Sequence, residues 1–218
     1  MQSRRRNYHQ AVMRIVALHG DDVTQAFAPN SRERTLATLD GFASALASKG
    51  NTTVDNVTLS RPDVTFDWTL GRCAPNLRAL LPNNPRCAKI SVVAFSRGTV
   101  ALTRALAEML QQNDQTSLAG VSVFYLDGGT AFPDAERAYL DSDSASKLDS
   151  LNLRRVCVEG TPRQWHDPQR PCLAKQKDEM VSGLARCWSV STAEKLHMHD
   201  ACGSLATHMR CIDAFEFS

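Results

Sequence analysis

Ser96 is the residue whose surroundings best suit covalent chemistry. It follows the apolar run Lys89-Ile90-Ser91-Val92-Val93-Ala94-Phe95 and precedes Arg97-Gly98-Thr99-Val100-Ala101-Leu102. A serine placed between a strand and a helix can be held on a tight, strained turn with its hydroxyl standing clear. That geometry requires small residues two positions before and two after it. Ala94 and Gly98 meet the requirement. The usual pattern is G-x-S-x-G, so Ala94 brings one extra methyl into a crowded turn.

A serine nucleophile needs a base to take its proton and an acid to orient that base. Asp127 ends the apolar run Val121-Ser122-Val123-Phe124-Tyr125-Leu126 and is followed by Gly128-Gly129-Thr130, which puts a carboxylate on a rigid strand terminus. Asp167, in the loop Trp165-His166-Asp167-Pro168 after the next apolar run, is its rival. For the base, His199 stands at the mouth of a short strand with Gly203 permitting the turn, and His197 is the alternative. Ser96, Asp127 and His199 run in the chain order serine, acid, histidine. An anionic tetrahedral intermediate would be held by the amide of Arg97, at the positive end of the helix that follows. A second amide would come from Gly20 or Asp21 in the turn His19-Gly20-Asp21-Asp22. Each candidate has a plainer reading: Asp127 as a turn residue capping its own backbone, Gly20 as an ordinary turn, the histidines as structural.

His197, His199, Asp200, Cys202, His208 and Cys211 crowd into fifteen residues and raise a metal-dependent hydrolase as a lesser reading. The H-x-H-x-D-H spacing is missing because Asp200 follows His199 directly, so neither a metal nor an organic cofactor is expected.

These residues need a scaffold, and the hydrophobic pattern supplies one. Met13 to Leu18 reads as a strand running into the Gly20 turn, and Leu36, Leu39, Phe42, Ala43 and Leu46 recur at helical steps between Ser31 and Lys49, with Gly50 as the stop. Between Asn51 and Asp67 the alternation fits one short strand. Asn76 to Leu81 offers two helical turns among prolines, as a substrate-lining flap or a crossover. Thr99 to Leu110 is the clearest helix, rich in good formers. Pro133 to Ser150 reads as a helix and a polar connection, Leu153 to Val158 as a further strand, and Lys175 to Cys187 as a helix. Strands alternating with helices predict an α/β fold, with a mostly parallel central sheet and helices on both faces.

A chain of 218 residues with 43% apolar content can bury one sizeable core. Residues 1–12 are expected to form a basic tail carrying Arg4-Arg5-Arg6, and 13–218 a single domain. The net charge of +2 is spread along the chain and aromatic residues are few, which argues against nucleic acid as a partner. No apolar stretch approaches a membrane span or a standard signal peptide, so a soluble protein is expected, either cytoplasmic or exported by another route. Seven cysteines leave at least one unpaired, and none forms a C-x-x-C pair. Buried free thiols are one reading, and one or two disulfides among the last five cysteines the other.

Val93-Ala94-Phe95-Ser96-Arg97-Gly98 resembles the G-F-S-R-G elbow of the alpha/beta-hydrolase catalytic domain of type VI secretion phospholipase effectors and related uncharacterised bacterial proteins. Asp127, with threonine and small residues after it, and His199, four positions before Gly203, resemble that family's acid and histidine. The departures are Ala94 for glycine, His19 where the family has an acid, Asp200 one place early and a short C-terminal half. The resemblance implies a serine esterase or lipase that cleaves a carboxylic ester, a phospholipid among the options, through an acyl-enzyme on Ser96. A lipid substrate would bring transient contact with a membrane surface. The competing expectation is a non-catalytic protein that keeps the fold for binding a partner.

Overall fold

The computed structural model describes residues 13–20, 23–60, 89–112, 118–130, 136–198 and 203–217. Among these residues six strands form one sheet: β1 (Met13–Leu18), β2 (Val57–Ser60), β3 (Lys89–Phe95), β4 (Ser122–Leu126), β5 (Arg155–Gly160) and β6 (Ser191–Leu196). Their order is β2-β1-β3-β4-β5-β6, and every pairing is parallel. The α/β architecture expected from the alternation is therefore present.

Parallel strands need crossovers, and the crossovers place helices on both faces. Side chains of a strand alternate between faces, so each strand feeds two cores. Ile15, Ala17, Val93, Phe95, Phe124, Leu126 and Cys157 pack on one side with helices α1 (Arg32–Ala37), α2 (Leu39–Lys49) and α7 (Leu205–Ala214). Val16, Leu18, Val92, Ala94, Val123, Tyr125, Val156 and Val158 pack on the other with α3 (Gly98–Gln111), α4 (Ser142–Ser146), α5 (Pro162–Trp165) and α6 (Pro171–Leu184). That double burial is why β3, β4 and β5 read as continuous apolar runs. β6 is an edge strand, largely exposed, and its polar Ser-Thr-Ala-Glu-Lys-Leu composition blunts the edge.

Several boundaries differ from the sequence reading. The helix expected from Ser31 to Lys49 is two helices, because Thr38 is extended at φ −84°, ψ 153°. Its hydroxyl donates to the Thr35 carbonyl and accepts from the Gly41 amide, ending α1 and capping α2. The helix expected from Lys175 begins at Pro171, where proline suits the first turn. Between Pro133 and Ser150 the helix is α4, inside the Asp-Ser-rich stretch. The expected turns at 76–81 lie outside the described residues. Cys157, Cys172, Cys187 and Cys211 are free thiols, so no disulfide joins these four; Cys73, Cys87 and Cys202 lie outside the described residues. Among the described residues no helix is long and apolar enough to cross a membrane.

Candidate active site

The strand order reverses direction at β1. β2 lies to one side of it and β3 to the other, so the loops after β1 and β3 border a topological switch point. In open parallel sheets ligands bind in the crevice there, outside the carboxyl ends of the strands. The loop after β1 carries His19 and Gly20, and the turn after β3 carries Ser96.

Ser96 has φ +54°, left-handed backbone that a non-glycine residue adopts at a cost of about 1–3 kcal/mol. The strain is held in place by hydrogen bonds. Its amide donates to the Leu126 carbonyl (3.0 Å), while its own carbonyl accepts from the Thr99 amide (3.1 Å) and hydroxyl (2.8 Å). Small neighbours are required on one flank, since a Cβ on Gly98 would lie 2.1 Å from the Leu18 carbonyl oxygen. On the other flank Ala94, where the usual pattern has glycine, is fully buried in the cluster that holds Leu18 and Tyr125.

Gly20 approaches this turn closely. A Cβ on it would sit 2.7 Å from Ser96 Cβ, 2.8 Å from the Arg97 nitrogen and 3.0 Å from Ser96 Oγ. The space beside the hydroxyl and the Arg97 amide is thus kept open by a missing side chain. Asp21 lies outside the described residues. His19 is buried, packed edge-on against Phe42 at 4.8 Å and tilted against Phe95 at 5.7 Å, and it braces the loop.

Asp127 stands at the end of β4, the strand next to β3, also with positive φ (+44°). Its side chain is fully buried and accepts three hydrogen bonds: from the Thr161 amide (2.6 Å), the Thr161 hydroxyl (2.8 Å) and Nδ1 of His208 (2.6 Å). His208 lies on α7, and its ring stacks on Phe95, the residue before the serine, at 4.5 Å between centroids. A carboxylate accepts the Nδ1 proton, which leaves Nε2 as the basic nitrogen.

The histidine that meets Asp127 is therefore His208, which sequence reasoning placed only among the crowded metal-type residues. His199 lies outside the described residues. His197 donates through Nε2 to Glu159 at 2.7 Å, a second buried carboxylate–imidazole pair at the end of β5. That strand is two places from β3, about 10 Å at the usual strand spacing. Asp167 caps its own loop, accepting from the Gln169 amide and pairing with Arg170 at 2.9 Å, and neither histidine pair includes it. Hydrogen bonds to Gln169 and Arg170 hold its carboxyl below the usual aspartate range. His208 carried a local signal all the same: Ser204 is an N-cap residue, and Leu205, Met209 and Ile212 recur at helical steps.

A further network joins the serine turn to the loop after β4. The Arg97 guanidinium donates to buried Glu136 at 3.0 Å, and the Thr130 hydroxyl donates to the same carboxylate at 2.7 Å. Among the described residues no three His, Cys, Asp or Glu side chains come together as metal ligands. No protein-family model and no curated protein sequence matches this chain.

Proposed function

We propose that this protein is a serine hydrolase of alpha/beta-hydrolase type that cleaves carboxylic esters through an acyl-enzyme. The observation that carries the reading is the Asp127–His208 hydrogen bond, stacked against the residue that precedes a left-handed Ser96. In this reading Ser96 is the nucleophile, His208 the base and Asp127 the orienting acid. Thr161 is a positioning residue that holds Asp127.

Nε2 of His208 takes the hydroxyl proton as Ser96 Oγ bonds to the ester carbonyl carbon. The negative charge that develops on the carbonyl oxygen is met by the Arg97 amide at the head of α3, a helix of 14 residues. Collapse breaks the bond to the leaving alcohol, which receives the proton from His208. Water, activated by the same nitrogen, then releases the acid and frees the serine. A phospholipid ester follows from the family resemblance alone.

A fluorophosphonate probe, with the adduct mapped by mass spectrometry, tests the nucleophile. Labelling confined to Ser96, abolished in Ser96→Ala, is expected. A folded protein that remains unlabelled favours the non-catalytic alternative. A panel of esters of varied acyl length then identifies the substrate.

A further inference from the structure

At the opposite end of the sheet from Ser96, the amino ends of the strands enclose a pocket of about 110 Å³. Lys89, Arg154 and Arg155 line it, together with the hydroxyl-bearing Ser91 and Ser122. Among the described residues no aspartate or glutamate lines it, and none of the three cations has a carboxylate partner. Three like charges around so small a volume repel one another, which costs stability unless an anion joins them.

The register explains why the groups converge. Ser91 pairs with Ser122, and Ser122 pairs with Arg155, so three neighbouring strands put these side chains in one row on the same face. Lys89 lies two residues before Ser91 and shares that face. Arg155 Nε is buried and has no hydrogen-bond partner among the described residues. A buried donor left unpaired is costly, and a ligand oxygen would satisfy it. The Cys157 thiol, which lies within reach of the guanidinium, is a weak acceptor. Phe124 and Phe217 close one side and offer apolar contact to whatever the anion carries.

We propose that this pocket is a binding site for a phosphate-type oxyanion, either free or as the phosphate end of a small ester. Guanidinium forks match phosphate oxygens in pairs, and the two serine hydroxyls add neutral donors. β3 separates this pocket from Ser96 by roughly 20 Å at strand rise, so the site is distinct from the esterase centre and does not depend on it.

Calorimetric titration of the full chain with inorganic phosphate and with phenyl phosphate, at constant ionic strength against sodium chloride, tests the proposal. Saturable one-to-one binding is expected, weakened about tenfold or more in Arg155→Gln. It should weaken by a smaller factor in Lys89→Gln and Arg154→Gln, whose side chains are exposed and whose loss leaves the fold intact. Tighter binding of phenyl phosphate identifies the ester, and equal binding the free anion; both support the site. Absence of saturable binding by either probe overturns it, as does binding unchanged in Lys89→Gln and Arg154→Gln. Fluorophosphonate labelling of Ser96 is unaffected by these substitutions, so failure here is distinguishable from failure of the esterase reading.

Discussion

Asp127 is fully buried, and a carboxyl group taken out of water is costly unless its oxygens are paired. Thr161 and His208 supply that pairing, and the same bonds fix the imidazole's tautomer and its angle against Phe95. His208→Ala should therefore lower kcat for a reactive ester by about three orders of magnitude or more while KM changes little. His197→Ala should retain most of the activity but lose stability in urea, by about 3 kcal/mol, because Glu159 is left buried without its partner. The opposite pattern would move the base to His197. Gly20 gives a second contrast: Gly20→Ala puts a methyl 2.8 Å from the Arg97 nitrogen, in the space a tetrahedral oxyanion would use. A fall in kcat of about 100-fold is expected in an ester hydrolysis assay, the usual size of one lost oxyanion donor.

Among the elements, short α4 depends on its cap. Asp141 accepts from the Ser144 amide at 2.8 Å and from its hydroxyl at 3.2 Å, and the amide hydrogen bond is the main reason its carboxyl titrates below the ordinary aspartate range. Because the folded pKa is depressed, the cap's contribution is present above the unfolded value and is lost as pH falls through the folded one. Asp141→Ala should cost about 1 kcal/mol at neutral pH. Urea denaturation should show the gap to the parent protein closing as pH falls through and below the ordinary aspartate range. Elements of this kind also explain what was legible in the sequence. The Ser96 elbow could be read because every residue that shapes it on the strand and helix side lies between Lys89 and Gln111. The histidine that meets Asp127 could not, because what selects His208 is a contact between α7 and the ends of β3 and β4, residues far apart in the chain. His197 and His208 each precede apolar neighbours and each meet a carboxylate, so only tertiary placement separates them. The break at Thr38 was hidden for a related reason: apolar spacing runs through it, while the hydroxyl that ends one helix and starts the next leaves no periodic trace.

For the whole molecule, the question is whether the two cores behave as one. They lie on opposite faces of a single sheet and share its strands, with Phe95 and Ala94, adjacent in β3, facing different clusters. Stripping the helices from either face would expose apolar residues of every central strand, so neither core can persist alone. At 218 residues the chain exceeds the size at which two-state unfolding is usual, but the shared sheet argues for cooperativity regardless of length. The serine turn depends on the same unit, since it is held by the Leu126 carbonyl of β4, by Thr99 of α3 and by the close approach of Gly20 after β1. In a urea titration, the far-UV circular dichroism and the rate of fluorophosphonate labelling at Ser96 should therefore fall with one midpoint. Two separated transitions would show that the faces unfold independently. Labelling lost well before the secondary structure would show that the strained turn relaxes ahead of the sheet that carries it.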